Sequence, residues 1–184
     1  MERSNARITL HMVCSLDGFI AKADGDISWM HRTHTYEKGV KLTEEDIENF
    51  LAGVDCYLMG SKTYEHALEL GWPYGDTPVF VLTSRELPAN RDKVTFLSGE
   101  LEDLVETKLK PSYPNIWMVG GAELTKDFLQ KNLADEIVIT IMPVILGEGL
   151  LFFDFVGKEI KLELLDHKAY KEAMVELTYR ILTD

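Results

Sequence analysis

Long apolar runs are missing from this sequence, since no stretch approaches the roughly 20 consecutive apolar residues that a membrane-spanning helix needs. A signal peptide is missing as well: the first seven residues, MERSNAR, are polar, and the apolar stretch after them contains a histidine and an aspartate. These absences predict a soluble chain with no membrane partner, and they favour the cytoplasm.

Cysteine is scarce, with two in 184 residues. Cys14 and Cys56 each lie in an apolar, strand-like run, which favours buried reduced thiols over a disulfide scaffold. His31 and His34 have an H-x-x-H spacing, but the sequence places no third ligand near them, so we predict no metal site.

Positive charge is also in short supply, because 19 Lys and Arg stand against 31 Asp and Glu, for a net charge of -12. An extended nucleic-acid surface needs clustered Lys and Arg, so this balance argues against nucleic acid as a partner. A single small anion pocket is still compatible with it.

Strand-like and helix-like segments alternate along most of the chain. RITLHMVCS is typical of a buried strand, and TEEDIENFLAGV of a helix with Thr43 as its N-cap. From Asp135 onward polar and apolar residues alternate as in antiparallel strands with one wetted face. We therefore predict one domain, residues 1–184, with an α/β fold: a mostly parallel central sheet, helices on both faces, and antiparallel strands at the C-terminal end.

Three polar or glycine-rich loops follow predicted strands, at the sheet edge where open α/β folds bind ligands. They are Gly60 to Thr63, which opens a helix suited to a phosphate, Thr83 to Arg85, and the pair Gly120 and Gly121. Alone, the first loop is equally compatible with a capped glycine turn, the second is weak evidence because Ser and Arg in a loop are usually solvated, and the glycine pair is also compatible with a tight strand-to-helix turn. Their shared position at one edge indicates a site for an extended nucleotide.

Six motifs occur in order between Ile8 and Phe153: SLDGFIA, DGDISW, MGSKTYE, VLTSR, MVGGAEL and PVILGEGLLFF. In order and spacing they resemble the dihydrofolate-reductase-like superfamily. Within it, the greater likeness is to stand-alone relatives of the reductase domain of the bifunctional riboflavin-biosynthesis deaminase/reductase. The resemblance implies a cytoplasmic NADPH-dependent reductase with a small heterocyclic substrate, and a homodimer.

The resemblance also implies the residues that hold NADPH. One departure concerns Ser61, because dihydrofolate reductases often have an arginine there for the cofactor's extra phosphate; a preference for NADPH over NADH would then depend on the residues Lys62, Ser84 and Arg85. The implied cofactor residues are Ile20, Gly60, Ser61, Lys62, Thr63, Thr83, Ser84, Arg85, Gly120, Gly121, Ala122 and Leu124.

For the substrate side, the resemblance implies Trp29, Phe50 and Thr140 as binding residues and Asp46 as the catalytic acid. If buried beside Trp29, Asp46 would have a raised pKa and could supply a proton directly or through water. The alternative is that Asp46 only complements the helix dipole. Asp17, in the turn after the first strand, is a second catalytic candidate, and its alternative is a simple Asp-Gly turn.

The resemblance predicts hydride transfer to a pyrimidine- or pterin-like substrate, as in 5-amino-6-(5-phosphoribosylamino)uracil reductases. The PVILGEGLLFF motif favours this riboflavin type over a folate reductase. Two alternatives stay open: a true dihydrofolate reductase, which the placement of Trp29, Asp46 and Thr140 supports, and a non-catalytic nucleotide-binding protein with the same fold.

Overall fold

The computed structural model describes residues 6–31, 35–88 and 91–183. His34, the second histidine of the H-x-x-H pair, lies outside these ranges. The strands are β1 (Arg7–Ser15), β2 (Phe19–Ala21), β3 (Cys56–Gly60), β4 (Val79–Leu82), β5 (Val94–Leu97), β6 (Asn115–Gly120), β7 (Glu136–Met142), β8 (Leu150–Leu151), β9 (Leu162–Ala169) and β10 (Val175–Ile181). The helices are α1 (Glu44–Ala52), α2 (Ser61–Glu69), α3 (Leu101–Leu104, continued by a π-helical turn at Val105–Leu109) and α4 (Ala122–Gln130), with a short 3-10 turn at Ser28–Met30.

Eight strands form one sheet in the order β5-β4-β3-β6-β1-β7-β10-β9. The six strands from β5 to β7 run parallel to their neighbours, whereas β10 and β9 are antiparallel. Strands β2 and β8 pair separately in a small antiparallel ribbon. The predicted α/β fold with an antiparallel C-terminal end is therefore confirmed.

Strand β3 is buried on both faces, which is why its sequence, CYLMG, is continuously apolar. On one face, Phe128 of α4 and Val105 and Leu109 pack with Leu10 of β1 and Met118 of β6. On the other face, α2 packs through Tyr64 and Ala67 against Tyr57 and Met59 of β3. Burying each large apolar side chain contributes roughly 1.5 to 3 kcal/mol, so these two layers hold the parallel strands together.

The helices in the described ranges are short, with nine residues in α1, α2 and α4, and none of them is long and apolar enough to cross a membrane. Thr43 is the N-cap of α1, as the sequence predicts. Cys14 and Cys56 are buried free thiols, and burial raises their pKa values to about 11 and about 12.

Candidate active site

A cleft of about 990 Å³ lies at the carboxyl ends of the parallel strands. Its walls include residues that end or directly follow four adjacent strands: Gly60 at the end of β3, Thr83 after β4, Ser98 after β5 and Gly121 after β6. The three loops that the sequence singled out therefore meet in one cavity. This position is where open parallel sheets bind ligands.

Two helices begin at the cleft, and both have a glycine as N-cap. Gly60 precedes α2 and Gly121 precedes α4, with extended backbones at φ -83° and -84°, and neither helix receives a side-chain cap. The first N–H groups of a helix have no partner inside it, and the helix dipole places partial positive charge at the same point. Two such N-termini in one cleft are suited to an anion.

The two glycines at the end of β6 serve different needs. Gly120 has φ +119°, a region that L side chains rarely adopt, and a Cβ there would lie 2.9 Å from the Met12 Cε. Gly121 has an ordinary backbone, and a Cβ on it would lie 3.4 Å from the Thr63 Oγ1 of α2. The peptide bond between them is cis. The positive φ at residue 120 thus requires a glycine, whereas the lack of a side chain at Gly121 keeps the space between α2 and α4 open.

Arg85 lies beside the cleft, with its guanidinium already engaged. The Arg85 Nη1 and Nη2 donate to both carboxylate oxygens of Glu65, at 2.9 and 2.7 Å, and the Arg85 Nη1 lies 3.4 Å from the Ser61 Oγ. This pairing raises the pKa of Arg85 and lowers that of Glu65. Lys62 is mostly exposed, and its Nζ lies 3.9 Å from a carboxylate oxygen of Glu123.

Most of the predicted cofactor residues are brought together by the fold. Gly120 and Arg85 adjoin the cleft through Gly121 and Ser61. The predicted cofactor residues that line the cavity are Ile20, Gly60, Ser61, Lys62, Thr63, Thr83, Ser84, Gly121, Ala122 and Leu124.

Asp17 is a fully bonded carboxylate that holds two loops together. It accepts hydrogen bonds from the Ser15 hydroxyl at 2.6 Å and from the backbone N–H groups of Leu146 and Gly147 at 3.1 and 2.8 Å. These bonds, the Ser15 bond first, lower its pKa to about 2 against the opposing effect of desolvation. Asp17 is therefore ionised at neutral pH, and this geometry favours positioning of the loop at 146–147 over proton donation.

Asp17 should make the stability of the protein depend on pH in acid. Because its pKa is depressed from 3.8 to about 2, its contribution is fully present above about pH 4 and is lost as the pH falls through about 2. We expect Asp17→Asn to lower the urea midpoint at pH 5, with the difference from wild type vanishing near pH 2.

Ser15→Ala removes the hydrogen bond that does most to lower the pKa of Asp17, while it keeps the carboxylate. Its urea midpoint should also fall below that of wild type at pH 5 and approach it near pH 2, with a smaller difference than in Asp17→Asn. Denaturation series from about pH 2 to 6 on the three proteins measure this. A constant gap between wild type and Asp17→Asn across the series would contradict the linkage.

The condition for a raised pKa of Asp46, burial beside Trp29, is not met. Asp46 is exposed, and its carboxylate accepts hydrogen bonds from the backbone N–H and hydroxyl of Thr43, each of which lowers the pKa. The Asp46 N–H in turn donates to the Thr43 Oγ1 at 3.1 Å, which completes a capping box. The structure thus favours the helix-cap role of Asp46 over a role as proton donor.

The predicted substrate residues do not line the cleft. The Thr140 Oγ1 lies 3.4 Å from the Glu176 carboxylate, and Trp29 packs in the small cluster around Met142. Phe50 makes an edge-on contact with Trp117 at a centroid distance of 5.3 Å and lines a separate cavity of about 280 Å³. Ile27 and Met30 line the cleft, whereas Trp29 does not.

Sequence reasoning missed part of the cleft wall. His66, Ala67 and Leu70 line it together with Thr63, and Tyr74 follows beyond the helix. The spacing of three, four and seven residues from Thr63 is that of one helix face, so helical periodicity was the signal that could have found them.

Known proteins resemble this chain over nearly its whole length. The family model described as the RibD C-terminal domain matches residues 6–175. The Bacillus subtilis protein YwjB is 34% identical over 181 residues, which cover 97% of this chain and 98% of that protein.

Two solved structures have the same fold. A protein from Shewanella sp. PV-4, provisionally assigned to riboflavin biosynthesis, is 26% identical with a TM-score of 0.82, over 96% of this chain and 99% of that one. The Thermotoga maritima diaminohydroxyphosphoribosylaminopyrimidine deaminase/5-amino-6-(5-phosphoribosylamino)uracil reductase is 14% identical with a TM-score of 0.68, over 96% of this chain and 57% of that one. The second likeness is one of fold.

Proposed function

The chain belongs to the family of the RibD C-terminal domain, within the dihydrofolate-reductase-like superfamily, and from this premise we propose that it is an NADPH-dependent reductase of the riboflavin-biosynthesis type. Its substrate would be a pyrimidine- or pterin-like heterocycle that accepts a hydride. The family supports an oxidoreductase, and the cleft supports the choice of a dinucleotide cofactor.

One observation carries the proposal: the N-termini of α2 and α4 open into the same cleft at glycine N-caps. Their free N–H groups would bind the pyrophosphate of NADPH. Thr83, Ser84 and Lys62 would hold the adenosine end, whereas Ile20 would pack against the nicotinamide side. When bound, the cofactor supplies the hydride from C4 of its reduced ring, and the protein's part is to position the substrate and exclude water.

Cofactor titration followed by turnover tests the proposal. We expect NADPH to bind the purified protein and to be oxidised in the presence of a pyrimidine or pterin substrate of the riboflavin type. Oxidation with dihydrofolate alone would indicate a true dihydrofolate reductase. Tight NADPH binding without turnover on the whole substrate panel would indicate a non-catalytic nucleotide-binding protein.

The preference for NADPH over NADH should depend on the pair formed by Arg85 and Glu65. Arg85→Ala removes the guanidinium and should weaken NADPH roughly tenfold, because charge-assisted contacts to phosphate are strong, while leaving NADH nearly unchanged. Glu65→Gln should have the opposite effect on NADPH, since it frees the guanidinium from its carboxylate partner. Fluorescence titration with NADPH and NADH measures the ratio of the two dissociation constants in each protein.

Equal losses for NADPH and NADH in Arg85→Ala would remove Arg85 from recognition of the extra phosphate. A matched control is Arg180→Ala, which removes an arginine whose Nη1 donates to Glu163 at 2.7 Å. Arg180 lies on β10, away from the cleft, so this variant should bind both cofactors as wild type does.

We also propose that the protein is a homodimer, with strand β9 in the interface. β9 is an edge strand of eight residues, and its leucines Leu162, Leu164 and Leu165 are 41%, 52% and 39% exposed. An edge strand with exposed leucines offers both unpaired backbone groups and apolar side chains to another chain. A second copy would cover them.

Sedimentation velocity tests the dimer. Leu164→Lys places a charge in the proposed interface and should shift the protein to a monomer, whereas Leu51→Lys, at an exposed leucine of α1, should not. A wild-type protein that sediments as a monomer at micromolar concentration would refute the assignment.

A further inference from the structure

A second cavity, of about 280 Å³, lies on the sheet near the amino ends of its central strands. Its walls include the first residues of three adjacent strands: Arg7 of β1, Asn115 of β6 and Glu136 of β7. The cleft of the proposed cofactor lies at the carboxyl ends of the strands, and none of the described residues lines both cavities. The second cavity is therefore a separate candidate site.

The strand register places the residues of the second cavity side by side. Thr9 of β1 is paired with Trp117 of β6 on one side and with Glu136 of β7 on the other. Paired residues point to the same face of a sheet, and Arg7 and His11, two positions before and after Thr9, share that face. An aromatic group at His11 and Trp117 thus adjoins a charged group at Arg7 and Glu136.

Three rings form the aromatic group. The His11 imidazole stacks on the Trp117 indole, with the centroids 4.7 Å apart and the planes tilted by 23°, and the Phe50 ring lies edge-on to His11 at 5.0 Å. Burial lowers the pKa of His11 to about 4, so its ring is uncharged at neutral pH. Val54 and Val138 extend this apolar wall. Walls of this kind are typical of sites for an aromatic ring.

Helix α1 covers the cavity loosely. All nine residues of α1 are exposed, including Phe50. A helix that buries so little of its surface has low local stability and can shift to admit a ligand. Apolar cavities of about 150 Å³ accept benzene, so the second cavity has room for one ring and a short polar chain.

The charged group keeps free bonding capacity. The Arg7 side chain is 52% exposed and the Glu136 side chain 15%, and the Arg7 Nη1 lies 3.4 Å from both carboxylate oxygens of Glu136. The Arg7 Nη2 donates to the Asn115 Oδ1 at 3.3 Å. Charge-assisted hydrogen bonds are typically about 2.7 to 2.9 Å long, so these contacts are weak. Arg180, the cross-strand neighbour of Glu136, is engaged by Glu163 at 2.7 Å. Arg7 can therefore still bind a carboxylate, and Glu136 an ammonium.

We propose that the second cavity binds an aromatic α-amino acid, with phenylalanine as the simplest case. The ring packs against Phe50 and Trp117. The carboxylate accepts hydrogen bonds from the Arg7 guanidinium, and the ammonium donates to the Glu136 carboxylate. A ligand with only one charge would leave one of these two groups unpaired and would face its like charge. The inference does not depend on the proposed cofactor or reaction.

Tryptophan NMR tests the proposal, with phenylalanine added to the full chain labelled with 15N-tryptophan. The Trp117 indole N–H donates to the His11 carbonyl oxygen at 3.0 Å, and its signal is assigned by its absence in Trp117→Phe. Phenylalanine should shift this signal saturably at concentrations up to about 10 mM, since millimolar affinity is ordinary for a ligand of this size. The indoles of Trp29 and Trp72, which do not line the second cavity, are internal references. A Trp117 signal that does not respond, or equal shifts of all three indoles, would overturn the proposal.

Three analogues each lack one group of the ligand. 3-Phenylpropionate lacks the ammonium, 2-phenylethylamine lacks the carboxylate and alanine lacks the ring. Each should bind at least roughly tenfold more weakly than phenylalanine, because each gives up a charge-assisted contact or the aromatic packing. The proposal is wrong if any of the three binds as tightly as phenylalanine.

Charge variants separate direct contacts from a merely structural effect. Arg7→Gln and Glu136→Gln should each weaken phenylalanine at least roughly tenfold. 2-Phenylethylamine should bind Arg7→Gln at least as tightly as wild type, because the like charge is gone, whereas a damaged cavity would lose both ligands. Lys131→Gln, which breaks the ion pair with Glu102 between α4 and α3, is the matched control and should behave as wild type. Normal phenylalanine binding in either charge variant, parallel loss of both ligands in Arg7→Gln, or loss of binding in Lys131→Gln would each contradict the assignment.

Discussion

Gly121→Val is expected to lower NADPH affinity by at least about 100-fold, which corresponds to a loss of roughly 2.7 kcal/mol in binding free energy. The backbone of Gly121, at φ -84°, is one that valine adopts readily, so the change acts through space. The valine side chain would fill the gap between α2 and α4, because a Cβ at this position would lie 3.4 Å from the Thr63 Oγ1. The branched side chain would then keep the pyrophosphate from both helix N-termini.

A series at this position measures the effect by cofactor titration and circular dichroism. Gly121→Ala should give an intermediate loss, because its methyl group makes only an ordinary contact with Thr63. Ala52→Val, an exposed position on α1, adds the same branched side chain away from the cleft and should leave affinity unchanged. Unchanged NADPH binding in a folded Gly121→Val protein would mean that the glycine serves only the turn.

Gly149→Ala is expected to lower the free energy of unfolding by roughly 2 to 5 kcal/mol and to abolish activity, because backbone strain and overpacking combine at this position. Gly149 has φ +144°, and a Cβ there would lie 2.2 Å from the Ala21 carbonyl oxygen, which belongs to the backbone and cannot move away cheaply. Gly149 and Ala21 both line the cleft, so relief of the clash would displace its wall.

Gly147→Ala is the matched control in the same loop. Gly147 also has a positive φ, +80°, but a Cβ there meets nothing within 4 Å, so only the backbone strain applies. Gly147→Ala should therefore lower the free energy of unfolding by about 1 to 2 kcal/mol. Urea unfolding of the three proteins gives the comparison, and equal losses for the two alanine variants would show that contact with Ala21 contributes nothing.

Sequence by itself predicted the architecture of this protein and the loops that meet at the cleft. Local sequence patterns predict the strands, the helices and the loops between them. Runs of β-branched residues indicate strands, Thr43 before an acidic turn indicates the start of a helix, and glycines mark the points where strands become helices. In a parallel sheet such junctions meet at one edge as a matter of geometry. That is why local pattern suffices to place Gly60, Thr83 and Gly121 at one site.

Tertiary structure alone decided the electrostatics of the cleft and where the residues predicted for the substrate lie. Asp17 takes its low pKa partly from backbone groups about 130 residues away, and Arg85 is occupied by Glu65 on another element. The position of Asp46 on its helix matches that of the catalytic acid implied by the resemblance. Its burial, however, depends on what packs over α1, and in the structure it is exposed. Packing between segments distant in the chain also decides that His66 lines the cleft. Burial and charge environment arise from residues distant in the chain, so local pattern does not contain them.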